Sequence, residues 1–193
     1  MGELEQELKF VLPDRQAWQR ALDVLGPAEQ IFEQTNYYFS DVHGSSGWSL
    51  RVRLENGYHI LTYKSGRSSQ EGYFQALEVE YPLEPSQASR LLAGSDWEPD
   101  LWALPPLQRL RADRGVERLC CLGFSRNQRH SCPQGEWVAE LDISEFPDGS
   151  VDYELEVECS DPGAVRAQLQ RLLGELTVQT TTKYRRFLER RPR

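Results

Sequence analysis

The sequence predicts an α+β protein: an eight-stranded antiparallel β-barrel with a charged interior and helices packed outside. Three observations predict it. Charged and apolar residues alternate with a period of two in segment after segment, which in a strand sends them to opposite faces. Short turns join these segments, the sharpest at Asn56-Gly57, and such turns imply antiparallel hairpins. Helix-patterned stretches sit between the strands, and the strands total about eight, enough to close a barrel around one small ligand and to remove exposed edges.

The first strand is Glu3 to Phe10. Glu5, Glu7 and Lys9 share one face; Leu4, Leu8 and Phe10 take the other. Pro13 and Asp14 open a helix through about Leu25, with Trp18, Leu22 and Leu25 at helical spacing and Gly26-Pro27 as the stop. Glu29 to Asp41 reads as a strand from its aromatic run. His43 to Gly47 is a turn. Trp48 to Glu55 alternates Arg51 and Arg53 with Leu50, Val52 and Leu54. After Asn56-Gly57, Tyr58 to Lys64 returns as its partner, and Ser65 to Glu71 reads as a polar loop. Phe74 to Tyr81 sets Glu78 and Glu80 against Leu77, Val79 and Tyr81.

A helical insert follows over about residues 84–114. It holds a helix from Pro85 to Ala93, an irregular stretch from Ser95 to Pro106, and a short helix from Leu107 to Arg111. It is expected to pack on the barrel's outside, so that residues 1–193 form a single domain. Val116 to Arg129 reads as a strand, Ser131 to Glu136 as a turn, and Trp137 to Ser144 as the strand of Glu140 and Asp142. Pro147-Asp148-Gly149 is a turn. Val151 to Cys159 carries Glu154, Glu156 and Glu158. Asp161 and Pro162 start a helix to about Leu176, and Thr180 to Arg190 closes the chain as a polar helix or turn.

Composition narrows the function. The net charge of −8 argues against a general nucleic-acid binder. No apolar run approaches a membrane span and no signal peptide is visible, so no membrane partner is expected and the cytoplasm is the expected location. The four cysteines lack zinc spacing and read as reduced thiols.

The chemistry lies in the inward charges. The bases are Lys9, Arg51, Arg53, Lys64, Arg129 and Lys183; the acids are Glu5, Glu7, Glu78, Glu80, Glu140, Asp142, Glu154 and Glu156. Each ion buried without a partner costs several kcal/mol, so the set must be hydrated, paired, or facing a charged ligand. Arginine and lysine suit a compact polyanion. Carboxylates suit Mg²⁺ or Mn²⁺, which bridge carboxylate to phosphate. Acids on one wall and bases on the other describe a metal–triphosphate site.

Glu5-x-Glu7-x-Lys9, followed by S-L-R-V-R, L-T-Y-K and D-Y-E-L-E-V-E, resembles the ExExK signature and later strands of the CYTH superfamily, the triphosphate tunnel metalloenzymes. With N-Y-Y-F-S-D, the likeness is greatest to its small bacterial YjbK-type subgroup. The resemblance implies a triphosphate or tripolyphosphate bound end-on in the tunnel by Lys9, Arg51, Arg53, Lys64, Arg129 and Lys183. It implies catalytic contacts from Lys9, Arg51, Lys64 and Lys183. It also implies metal held by Glu5, Glu7, Glu78 or Glu80, Asp142, Glu154 and Glu156. The protein would act as a monomer or homodimer.

The leading expectation is a metal-dependent triphosphatase. An adenylyl cyclase of the same fold would need an adenine pocket, for which the sequence offers no signal. A non-catalytic polyphosphate or nucleotide module is disfavoured by the intact acid set. Glu158 reads as a residue of the tunnel mouth, and His43, His59 and His130 as ordinary surface positions.

Overall fold

The structure is a computed structural model that describes residues 2–41, 47–68, 71–94 and 97–192. Eight strands close into an antiparallel barrel: β1 (Glu3–Leu12), β2 (Gln30–Ser40), β3 (Trp48–Glu55), β4 (Tyr58–Ser68), β5 (Tyr73–Leu83), β6 (Cys120–Pro133), β7 (Val138–Glu145) and β8 (Val151–Glu158). Their order is β5-β4-β3-β2-β6-β7-β8-β1, and β1 closes the circle on β5. A two-residue strand, β9 (Thr177–Val178), lies beside β1.

Among the described residues six helices lie outside or across the barrel: α1 (Arg15–Leu25), α2 (Pro85–Ala93), α3 (Pro99–Trp102), α4 (Pro105–Arg114), α5 (Pro162–Leu173) and α6 (Lys183–Arg190). Local chemistry places their ends. Asp14 caps α1 by accepting from the Ala17 amide at 2.7 Å, and Asp161 caps α5 from Ala164 at 3.0 Å. Gly115 ends α4 in the left-handed region. Asn56 and Gly57, at φ 45° and 89°, make the tight β3–β4 hairpin that their dipeptide predicts.

The alternation sorts the barrel into a wet inside and a dry outside. Leu8, Phe10, Leu141, Leu155 and Val157 are buried under α1 and α5 with Trp18 and Leu169. Leu50, Val52, Leu61 and Tyr63 are buried under the insert, against Leu91, Leu101, Leu107 and Leu110. Each such side chain contributes about 1.5–3 kcal/mol. Leu4 departs from the expected apolar face: at the start of β1 it is 66% exposed. Among the described residues, no helix is long and apolar enough to cross a membrane.

Several boundaries move. β4 continues through Ser68, taking residues read as loop, because Lys64, Ser65 and Gly66 pair with Glu78, Leu77 and Ala76. β6 begins at Cys120 and runs to Pro133 through a segment read as a turn, since Ser131 and Cys132 pair with Glu140 and Ala139. Val116 and Leu119, read as strand, instead fill the core under the insert. The insert also gains α3 in a stretch read as irregular, and α4 is longer than expected. α5 ends at Leu173, ahead of the expected Leu176. His43 and most of its turn lie outside the described residues.

Candidate functional site: a charged tunnel

The inward faces enclose a cavity of about 480 Å³, within the range that holds a small ligand. β1 presents Glu5, Glu7 and Lys9; β3 presents Arg51 and Arg53; β4 presents Lys64; β5 presents Glu78 and Glu80. Arg129, Glu140 and Glu156 enter from β6, β7 and β8, and Lys183 from α6. Two expected residues do not line it. Asp142 is fully buried and Glu154 is 1% exposed, Asp142 covered by Arg129 and Lys183 and Glu154 by Arg186.

The expected separation into an acidic and a basic wall gives way to close pairing over most of the tunnel. Lys9 Nζ lies 2.9 Å from Glu7 and 2.8 Å from Glu156. Lys64 Nζ contacts both oxygens of Glu5, at 2.7 and 2.6 Å, and lies 3.2 Å from Glu78. Arg129 makes a two-pronged contact with Asp142 at 2.9 and 2.7 Å, reaches Glu156 at 2.6 Å, and also pairs with Glu140. Lys183 pairs with Asp142 and lies 3.0 Å from Glu156.

These contacts set the protonation states. Burial pulls the Lys9 ammonium down, but Glu156 and Glu7 overcome it and hold its pKa above the ordinary value. Burial pushes the Asp142 carboxyl up, and Arg129 and Lys183 more than reverse it. Glu156 is likewise held well below its ordinary value, against burial, by Lys183, Lys9 and Arg129. Glu140 goes the other way: burial raises it despite Arg129.

The β2–β3 side is different. Among the described residues Arg51 lies 3.9 Å from Glu78 and its buried Nε has no hydrogen-bond partner, yet against burial Tyr38, Glu78 and Glu80 hold its pKa above the ordinary value. Arg53 donates to the neutral Asn36 at 3.1 Å and lies 3.5 Å from Glu55. Its pKa is lowered to about 10 by burial and by the neighbouring Arg51 and Arg129. Both side chains are 14% exposed within the cavity, where a guanidinium presents planar, two-pronged donors.

Some lining residues escaped the sequence reading. Gln34 and Asn36 are the two on β2: Gln34 accepts from Asn127 at 2.8 Å and donates to Glu55 at 2.6 Å, and Asn36 accepts from Arg53 at 3.1 Å. The period of two from Phe32 through Gln34, Asn36 and Tyr38 carries that signal, hidden under an aromatic run. Glu158 lines the cavity opposite Glu7 in the β1–β8 register, and burial together with Glu5 and Glu7 raises its pKa.

The cavity offers oxygen donors and, among the described residues, no imidazole or thiol. That donor chemistry fits Mg²⁺ or Mn²⁺. Among the described residues, no three His, Cys, Asp or Glu side chains stand ready as a cage. The lining carboxylates Glu5, Glu7, Glu78 and Glu156 each already contact a lysine.

The sequence profile of the CYTH domain matches residues 3–188. The chain belongs to the CYTH domain family. Its CYTH barrel is similar over its whole length to solved structures. HpAC1 of Hippeastrum, named as a candidate adenylyl cyclase with a dominant triphosphatase activity, is 26% identical, with 96% of this chain and 95% of that chain covered at a TM-score of 0.83. A Bacillus halodurans protein named as a candidate adenylate cyclase is 20% identical, with 96% and 98% covered at 0.74. The PH1012 protein of Pyrococcus horikoshii is 20% identical, with 97% and 99% covered at 0.61. No curated protein matches the CYTH chain in sequence.

Proposed function

We propose that this CYTH protein is a divalent-metal-dependent hydrolase of inorganic tripolyphosphate or a small organic triphosphate, acting in the cytoplasm. The observation that carries this reading is the Arg51–Arg53 pair: two guanidinium groups side by side on β3, each 14% exposed within the cavity, Arg51 with its nearest printed carboxylate at 3.9 Å and Arg53 on the neutral Asn36 at 3.1 Å and Glu55 at 3.5 Å. The dominant triphosphatase activity of the similar HpAC1 supports it.

In this reading Arg51 and Arg53 anchor the phosphate chain, and Arg129 flanks it. Lys9, Lys64 and Lys183 contact the phosphates once cations occupy their present partners. Glu5, Glu7, Glu78, Glu80 and Glu156 supply the metal's oxygen ligands. Asp142 acts one step back by fixing Arg129 and Lys183. When bound, the metal supplies charge neutralisation along the phosphates and an activated water.

The test is incubation with Mg²⁺ or Mn²⁺ and, in turn, tripolyphosphate, ATP and thiamine triphosphate. Orthophosphate release is expected. Cyclic AMP from ATP would make the protein a cyclase, and tight binding without turnover would make it a binding module.

A further inference from the structure

We infer that Arg186 and Glu154 form a latch that holds α6 across the end of the barrel and thereby positions Lys183, and that Glu154 belongs to this latch and not to the metal. Glu154 has the inward register of its strand, which alone would class it with Glu156. Its surroundings differ. Both of its oxygens are engaged by the C-terminal segment: Oε1 accepts from Gln179 Nε2 at 3.2 Å and Oε2 from Arg186 Nη2. Its carboxylate is 1% exposed and does not line the cavity.

Arg186 is committed to the same task. Its side chain is 7% exposed. Nη1 donates to the Thr181 carbonyl at 2.6 Å, so the guanidinium ties α6 to the segment that leads into it. Nε lies 2.8 Å from Asp152 Oδ2, an ion pair that falls off the N–H direction. Asp152 in turn holds Arg190 at 2.8 Å, so the middle and the C-terminal end of α6 are pinned to β8. A buried guanidinium stays in place only while such partners surround it.

The latch bears on the tunnel through helix geometry. Lys183 lies three residues before Arg186, on the same face of α6. Fixing Arg186 against β8 therefore fixes the rotation at which Lys183 enters the cavity to meet Asp142 and Glu156. The packing of Phe187 on Tyr38, ring centres 4.6 Å apart, holds the helix down but does not set that rotation by charge. Arg186 is thus a positioning residue. Its effect on ligand rests on the triphosphate reading; the latch itself does not.

The experiment uses the full chain and three readouts. Calorimetric titration with tripolyphosphate should show Arg186→Met weakening affinity by about tenfold, yet by less than about twofold in a Lys183→Ala background, because groups acting through one another are non-additive. Equal loss in both backgrounds overturns the positioning role. Titration with Mn²⁺ should leave Glu154→Gln within about twofold of the unaltered protein while Glu156→Gln weakens at least about fivefold, a difference of about 1 kcal/mol. Equal weakening returns Glu154 to the metal. Hydrogen exchange at residues 183–190 should quicken in Arg186→Met with the barrel strands unchanged, and unchanged exchange overturns the latch. Arg186→Lys and Glu154→Gln serve the same comparison if the methionine variant does not fold. Failure of the unaltered protein to bind tripolyphosphate would count against the proposed function, while exchange and Mn²⁺ titration still judge the latch.

Discussion

Lys64 and Glu5, 59 positions apart in the chain, meet inside the barrel with the ammonium 2.7 and 2.6 Å from the two carboxylate oxygens. β5 lies between their strands, so this pair exists only because β1 closes on β5. It joins a group suited to phosphate with a group suited to metal. A cation on Glu5 would free Lys64, and a phosphate on Lys64 would free Glu5. Metal and triphosphate should therefore strengthen each other's binding, and by thermodynamic reciprocity by the same factor. Titrating Mn²⁺ with and without tripolyphosphate should show a shift of about fivefold or more; identical affinities would refute the coupling.

Ligand-linked stability follows from the size of the site. Tripolyphosphate with metal should raise the melting temperature by mass action, and orthophosphate should raise it much less, because Arg53, level with Ile60, stands four residues along β4 from Lys64, about 13 Å. Thermal scans with equal shifts for the two anions would argue against a triphosphate-length seat.

Glu7→Gln keeps shape and removes charge. Turnover should collapse while the fold survives, with partial recovery in excess Mn²⁺. Arg53→Met should behave in the opposite way toward metal. It removes a charge-assisted contact worth about 1.5–3 kcal/mol, so affinity for tripolyphosphate should weaken about tenfold or more, and added metal should not restore it. Because Arg53 is buried against Arg51 and Arg129, its removal should also raise the melting temperature of the unliganded protein by about 2–4 °C. A drop in melting temperature would show that Arg53 is well satisfied without ligand.

The acid limb of stability should come from Asp142 and Glu156. Both are held below the ordinary carboxylate range in the fold, so the unfolded chain takes up their protons first. Their stabilisation is present above the unfolded values near about pH 4 and is lost as pH falls through the folded values. Glu140 and Glu158 are raised and have the opposite sign, losing stability as pH rises through their folded values. Denaturant midpoints should fall steeply below about pH 4, and the slope should shrink in Asp142→Asn. An unchanged slope in that variant would remove Asp142 as a source.

Gly66→Ala should be costly although the residue faces the cavity. A Cβ there would lie 2.3 Å from the Gln75 carbonyl oxygen and 2.6 Å from Ala76 Cα, both backbone. The β4–β5 pairing must shift to admit it, and a loss above about 2 kcal/mol in denaturant unfolding is expected. A near-neutral effect would mean the two strands separate easily at that point.

Which residues face inward, and that the barrel encloses charge, could be read along the chain. Glu5-x-Glu7-x-Lys9, Arg51-x-Arg53 and Glu154-x-Glu156-x-Glu158 alternate with apolar residues, and a period of two is a local property that neighbours in the chain suffice to reveal. The Asn56-Gly57 hairpin and the capped starts of α1 and α5 are equally local. Strand ends were less legible. Whether Gly66 or Ser131 continues a strand depends on a partner across the sheet, as Ala76 and Glu140 show.

What each inward charge meets depends on packing between distant parts of the chain. Lys9 meets Glu156 over a separation of 147 residues, and Arg186 takes Glu154 out of the cavity while Glu156, two residues on, remains in it. Alternation cannot distinguish those two glutamates, because it reports the face of a strand and not the level along the barrel or what docks at its end. The register of closure between β1 and β5, and the seat of α6 on β8, are long-range packing outcomes. They set which ions are closely paired, which are unreachable, and which, at Arg51 and Arg53, have only longer contacts to carboxylates among the described residues.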